Sequence, residues 1–502
     1  MLDHPVRFAR RILPAFLLCL LFFFLAPAGA SAAARALLVA CSDFMTEPDL
    51  GAAISGNLHM IGSALISADM RAGDLSIEDG TIGTQEALKA AIDDAFSNSQ
   101  EDDLSILYLC THGVLSSSDD GEVYLLLGDG QTESPLGADT LYSFIQGIQG
   151  EKLLILDACF SGALIGRGQP DIGRLPGSHR QSEAYLSPFL ADSSIHVLTS
   201  ASGHESSWYY DSQQLSSGAV SYFASALSCG LGLYGTPEAD LSGDGQVSLA
   251  ELHRYLQAAV PSSSSQLLSA SADSLLLPVS SGAALTRPLI GFSYGASLLS
   301  AGDPTLEFSF TVARDDTQVQ YRLIDFDAGS WNWQQAKVFL DEGDDGSTRL
   351  SPGRKTRSLV LSDVAPTDSG YLMLQVFSVS GSELLLCSER LIAVQPESTG
   401  YTLDISLPDR FPLPGMQEIP IEINTGVPVE LTVSVFNSDG RLVRRLAIGQ
   451  MSRPAPDSVT LLYWDGRDAE GSIVKPGTYT ITAEARICGV RQKVSCEITV
   501  GV

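Results

Sequence analysis

Leu104-Ser105-Ile106-Leu107-Tyr108-Leu109-Cys110-Thr111-His112-Gly113 and Leu153-Leu154-Ile155-Leu156-Asp157-Ala158-Cys159-Phe160-Ser161-Gly162 share one plan: an apolar run, then a reactive side chain close to a glycine. Each run is apolar at consecutive positions, as in strands of a parallel sheet covered on both faces. Residues 36–41 and Ile195–Thr199 read the same way. Between these runs lie stretches of helical period at 57–68, 84–96 and 218–229, the second opened by Thr84 with Glu86 and Ala87 behind it. Strands alternating with helices predict an α/β sandwich over 35–282, with ligands bound at the carboxyl ends of its strands. His112 and Cys159 fall just beyond two such ends.

A chain of 502 residues is too long for one hydrophobic core and predicts about three domains. Hydrophobic residues at 44% and charged residues at 18% are a globular composition. The formal net charge is −29, from 59 acidic against 30 basic residues. That surface repels nucleic-acid phosphates and anionic lipid, which excludes both as partners and leaves cations and basic polypeptide segments. Arg7, Arg10 and Arg11, an apolar run over 12–25 and then Ala-Pro-Ala-Gly-Ala-Ser-Ala read as an export signal over 1–32, with cleavage near Ala32. The alternative is an uncleaved anchor, although the run is short for a span of about 20 residues. A secreted or cell-surface protein, free of the membrane once the signal is removed, is the expectation. Cys19 leaves with the signal, and the seven cysteines remaining are an odd number with no C-x-x-C. Cys41 and Cys110 read as buried thiols; Cys488 and Cys496 flank a turn and are placed to pair.

The pattern changes after Pro261. The serine-rich piece 262–274 closes the α/β unit, and from about 286 short alternating segments such as 306–312, 318–324 and 371–379 are separated by Gly, Asp, Ser and Pro. Two all-β sandwiches follow, over 286–396 and 401–502. Asp368-Ser369-Gly370-Tyr371 resembles the corner of immunoglobulin-like folds, its tyrosine one residue early. Val433-Ser434-Val435-Phe436-Asn437-Ser438-Asp439-Gly440-Arg441-Leu442-Val443 is a strand, turn and strand. With Tyr463-Trp464-Asp465-Gly466-Arg467-Asp468 and Lys475-Pro476-Gly477-Thr478-Tyr479, it resembles the immunoglobulin-like domain of the flagellar hook-capping protein. The resemblance implies a fold and a sorting or spacer role, with Trp464 and Tyr479 in the core.

A histidine near a cysteine is a nucleophile arrangement, since the thiolate and not the thiol attacks. The two residues are 47 positions apart. His-Gly after one strand and Asp-Ala-Cys-Phe-Ser-Gly after the next resemble the motifs of the caspase and metacaspase clan of cysteine peptidases. The resemblance implies Cys159 as nucleophile, His112 as general base and acid, and an oxyanion hole from the N–H groups of Gly113 and Cys159. It also implies that Asp157 lines a pocket for a substrate Arg or Lys, with Ser200 and Glu205 of Thr199-Ser200-Ala201-Ser202-Gly203-His204-Glu205-Ser206-Ser207 on the pocket strand and loop. Asn57-Leu58 stands where many relatives have Asn-Asp, so a second pocket acid is missing; Asp157 capping the strand end is the structural alternative. No G-x-S-x-G supports a serine hydrolase.

Asp240-Leu241-Ser242-Gly243-Asp244-Gly245-Gln246-Val247-Ser248-Leu249-Ala250-Glu251 follows the calcium-loop pattern, with a helix expected at 249–258. Asp240, Ser242, Asp244, Ser248 and Glu251 would offer side-chain oxygens, Gln246 its carbonyl, and Gly245 the sharp turn. The alternative is an acidic Gly-rich turn. The loop 166–187 carries Arg167, Arg174 and Arg180 and stands where caspases have a cleavable linker, which makes it a candidate self-cleavage site or a surface lid. The sequence thus reads as an exported endopeptidase acting on polypeptides, self-processing and with calcium as cofactor. The competing readings are a catalytically silent caspase-fold binding or adhesion protein at the cell surface, and a calcium-dependent scaffold.

Overall fold

The structure is a computed structural model that describes residues 33–501 except 116–121, 167–186, 204, 210–219, 236, 261–262, 281–287, 328–329, 332–336, 344–345, 362–369, 381–382, 396–401, 413, 416–417, 453–458, 470 and 488. The expected signal segment, Arg167, Arg174, Arg180, His204, Asp368, Ser369 and Cys488 lie outside the described residues, and so does the Cys488–Cys496 pairing.

The α/β unit begins with β1 (Ala34–Ala40), α1 (Ala52–Ser67), β2 (Leu75–Asp79), α2 (Gln85–Phe96) and β3 (Leu104–Cys110). The three strands of the small sheet follow, β4 (His112–Leu115), β5 (Val123–Gly128) and β6 (Glu133–Leu136), then α3 (Ala138–Ile145), β7 (Glu151–Asp157) and β8 (Ile195–Thr199). α4 (Tyr222–Gly230), α5 (Leu249–Ala259) and β9 (Gln266–Leu268) complete it. The main sheet runs β2-β1-β3-β7-β8-β9, parallel except for β9. Alternate residues of its strands face opposite layers. Ala36, Leu38, Ile106, Tyr108 and Ile155 pack with α1, α4 and α5, while Leu37, Val39, Leu107, Leu154 and Leu156 pack with α2 and α3. This is the α/β/α sandwich, and Thr84 caps α2 as its spacing predicts, its side chain accepting from the Ala87 N–H.

The described elements from Leu289 onward are strands. In the first sandwich, Leu289–Tyr294, Thr305–Val312 and Gly353–Val360 oppose a sheet built on Gln318–Asp327, Tyr371–Ser380 and Glu383–Gln395. In the second, Asp404–Ser406, Ile419–Asn424 and Val459–Trp464 oppose Arg410–Phe411, Val490–Val500, Gly477–Ile487, Glu430–Asn437 and Leu442–Met451. Trp464 is fully buried there between Phe411 and Tyr479. The Tyr371 hydroxyl meets Ser452 Oγ of the second sandwich at 3.0 Å, and burial pushes it up to about 12.

Truncation of a buried Trp removes transfer energy and leaves a cavity, so Trp464→Ala is expected to cost the second sandwich about 3–5 kcal/mol. Urea unfolding followed by Trp and Tyr fluorescence checks it; a loss under about 1 kcal/mol would show that the site collapses around the gap.

Candidate active site

β3 and β7 pair in parallel with Cys110 opposite Asp157, and the Thr111 N–H donates to the Asp157 carbonyl at 3.3 Å. His112 and Cys159 each stand two residues beyond this last pair. The two segments come close at Gly113: a β-carbon on it would lie 1.7 Å from the Cys159 carbonyl oxygen. Any side chain there would push the two strand ends apart. After the cysteine the chain turns at Phe160, whose φ of 57° is left-handed, a conformation a bulky residue seldom adopts. The turn is held by the Phe160 N–H donating to the Glu205 carbonyl at 2.8 Å.

His112 Nε2 lies 2.8 Å from the carbonyl oxygen of Pro48, in the loop after β1. A carbonyl only accepts, so this bond places the proton on Nε2 and leaves Nδ1 as the basic nitrogen. Phe44 covers the ring at a centroid distance of 4.6 Å. The loop is pinned by Glu133, whose carboxylate accepts the Met45 N–H (2.7 Å), the Thr46 N–H (3.1 Å) and the Thr46 hydroxyl. Burial works to raise the Glu133 carboxyl, but these bonds and the nearby His112 more than offset it and hold it below the usual range.

Cys159 is partly buried, and its Sγ donates to the Ser207 carbonyl at 3.8 Å. Burial pushes the thiol up, Asp157 adds to the rise, and the contacts with Ser207 and Ser206 only partly oppose it. The resting group is the thiol. Beneath it, Asp157 is 3% exposed and accepts from Tyr108 Oη (2.8 Å), Ser207 Oγ (2.9 Å) and Ser221 Oγ (2.5 Å). Burial raises its carboxyl and these hydroxyls pull it down in part. Among the described residues no cationic side chain pairs with it.

The other expected residues divide, Ser200 staying beside Asp157 and Glu205 turning to Ser264. Ser200 is buried with its hydroxyl on both polar groups of Ala158, accepting from the N–H at 3.1 Å and donating to the carbonyl at 3.3 Å. Its place is under the nucleophile strand. The Glu205 carboxylate is taken up by Ser264, accepting its N–H (2.7 Å) and hydroxyl (2.8 Å), and lines a groove of about 760 Å³ between this unit and the second sandwich. Neither His112 nor Cys159 lines that groove, so the Glu205 carboxylate braces the 262–274 segment instead of facing the nucleophile. Leu58 is core, and Asn57 is buried with its amide on Tyr108 Oη and Cys110 Sγ.

In the loop 240–251, Gly245 has a φ of 83°, as a sharp turn needs. The carboxylates do not converge on a cation, however. Asp240 accepts the N–H groups of Gly243, Asp244 and Gly245, and Glu251 accepts from the Ser242 and Ser248 N–H groups. Ser248 and Glu251 form a capping box at the start of α5. Asp244 accepts from Gln246 N–H, the Ser242 hydroxyl turns to Asp240, and no group of three or more metal-binding side chains occurs among the described residues. As folded, these residues do not fit a calcium cage.

Residues 24–206 match the CHAT domain family, a caspase-like fold, and residues 415–487 match the FlgD Ig-like domain family. The protein combines a caspase-like domain with an FlgD-like immunoglobulin domain at its C-terminal end. Caspase-1 from Spodoptera frugiperda is similar at 14% identity, covering 50% of this chain and 93% of its own with a TM-score of 0.33. A Geobacter sulfurreducens protein is similar at 16%, covering 47% and 92% with a TM-score of 0.30. No curated protein sequence matches the chain.

Two outcomes follow from this geometry. With the thiol raised, iodoacetamide alkylation of Cys159 in the free protein is expected to keep gaining rate beyond the ordinary thiol range near 8.5. A peptide-mapped rate that levels off near or below about pH 7 would show a preformed thiolate instead. Because Asp240 and Glu251 are satisfied within the loop, exchanging a chelator for millimolar calcium is expected to leave the melting temperature of this unit unchanged. Saturation to 100 times Kd would add about 2.7 kcal/mol, or roughly 5–10 °C, and such a rise, absent in Glu251→Gln, would show that the loop re-forms as a cage.

Proposed function

We propose that this protein is an exported cysteine endopeptidase whose dyad is Cys159 and His112. The observation that carries the reading is the His112 Nε2 contact with Pro48. It leaves Nδ1 as the base, on a residue that follows the end of β3 as Cys159 follows the end of β7. In the reaction, Nδ1 takes the Cys159 proton as the sulfur attacks the scissile carbonyl. The N–H groups of Gly113 and Cys159 bind the oxyanion, and the imidazolium returns the proton to the departing amine. Water, deprotonated by His112, then hydrolyses the thioester and restores the thiol.

The substrate residue before the scissile bond is basic in this proposal. Asp157 is a buried acid supplied with hydroxyl donors and without a described cationic partner. An arriving guanidinium or ammonium group would lower its pKa and satisfy its charge in one step. Self-cleavage within 166–187, at Arg167, Arg174 or Arg180, follows from the same preference. Residues 1–32 act as the export signal, and the sandwich domains hold the enzyme at the cell surface or release it. No step of the proposed reaction depends on calcium.

The test is hydrolysis of fluorogenic peptides bearing Arg, Lys, Asp or Asn at P1 by the mature, reduced protein beside Cys159→Ala, with intact masses recorded for both. Cleavage after Arg or Lys, lost by at least about 10³-fold in Cys159→Ala, is expected. Cleavage after Asp or Asn keeps the enzyme and removes the role of Asp157. Matching masses remove self-processing, and no turnover of any peptide removes the peptidase reading.

A further inference from the structure

The acid beneath the nucleophile is connected to the neighbouring domain through α4. Ser221, the cap of α4, donates from Oγ to Asp157 Oδ2 (2.5 Å), accepts the Ala224 N–H on the same oxygen (2.9 Å), and gives its own N–H to Asn57 Oδ1 (2.7 Å). All nine residues of α4 are buried. The next residue along, Tyr222, receives a bond on its phenol oxygen from Gln375 Nε2 of the first sandwich at 2.8 Å. The same Nε2 donates to Glu389 Oε2 at 2.7 Å, and Gln375 stands opposite Glu389 in the pairing of Tyr371–Ser380 with Glu383–Gln395.

The seam around this bond is core. Phe377 and Leu386 of the sandwich belong to one buried cluster with Phe223, Leu227 and Leu252 of the α/β unit. Apolar contact alone tolerates sliding, whereas a buried amide must keep its partners or lose the energy of its desolvation. Gln375 is fully buried, so its two bonds fix where the seam sits. A small displacement of α4 carries Ser221 Oγ off the Asp157 carboxylate.

We propose that Gln375 is a positioning residue: the first sandwich, through Gln375, Tyr222 and Ser221, sets the Asp157 carboxylate that selects a basic substrate side chain. This rests on the reading of Asp157 given above. On this account the first sandwich is part of the peptidase, and only the second is an appended module.

The full mature chain is compared as wild type, as Gln375→Leu, and as the exchange Gln375→Glu with Glu389→Gln. The exchange keeps one acceptor and one donor, with the Tyr222 hydroxyl donating to the relocated carboxylate. Three readouts are taken well below the melting temperature. They are kcat/KM for Arg and Lys P1 peptides, the rate of Cys159 alkylation by iodoacetamide, and amide hydrogen exchange in α4. Gln375→Leu is expected to lower kcat/KM by about tenfold, mainly through KM, with faster exchange in α4 and an alkylation rate within about twofold of wild type. The exchange variant is expected to recover most of the loss. Unchanged kcat/KM in a folded Gln375→Leu protein overturns the proposal, and so does an equal fall in alkylation, which would mark general damage. If wild type cleaves no basic peptide, the peptidase reading and the positioning role fail together. Exchange in α4 then still decides whether the seam couples the two domains, and unchanged protection refutes that as well.

Discussion

Everything chemical in this molecule depends on one parallel pairing, Cys110 against Asp157 at the carboxyl ends of β3 and β7. His112 and Cys159 each follow that pair by two residues, although 47 positions separate them in the sequence. Slippage by a single residue would turn every side chain of one strand to the other layer and bury the wrong set. Both layers are close-packed, with Leu107, Tyr108, Leu109, Leu154 and Ile155 all at 3% exposure or less, so the register is held from both sides. Gly113 is the condition under which the two ends come this close.

Around that pairing the polar groups form two levels. The upper level orients the reacting atoms: Pro48 fixes the imidazole tautomer, Glu133 fixes the loop that carries Pro48, and Ser207 receives the thiol proton. The lower level is a set of hydroxyls, from Tyr108, Ser207 and Ser221, converging on Asp157. Ser207 serves both, with its carbonyl on Cys159 and its hydroxyl on Asp157. Under the proposed function, a cation bound at Asp157 would compete for Ser207, which also holds the thiol.

Much of this was legible in the sequence. β3 and β8 span Leu104–Cys110 and Ile195–Thr199 as the apolar runs predict, α2 begins at its capping signal and α5 at Leu249 after the 240–251 motif's glycines, and the His-Gly and Asp-Ala-Cys-Phe-Ser-Gly motifs name the residues at the strand ends. What stayed hidden acts through the backbone or over long separations. The Pro48 carbonyl has no residue-type signature, and Ser221 joins Asp157 across 64 positions. Phe160 takes a conformation that its side chain disfavours and that no propensity would assign to it. The 240–251 loop is legible in two ways. A serine followed three residues later by a glutamate is both the end of a calcium loop and a capping box, and the fold uses the second. The Tyr371 hydroxyl finds Ser452 across a domain boundary that no local pattern announces.

One further consequence comes from β9. It closes the main sheet as an antiparallel strand of only three residues, tied down at once by the serines on its N-terminal side, with Ser263 on the Ser200 carbonyl and Ser264 on Glu205. The opposite margin, β2, ends in Glu78 and Asp79. A sheet bounded by a short reversed strand on one side and by acids on the other offers poor templates for adding strands. The main sheet is thus a poor template for joining copies of this chain edge to edge.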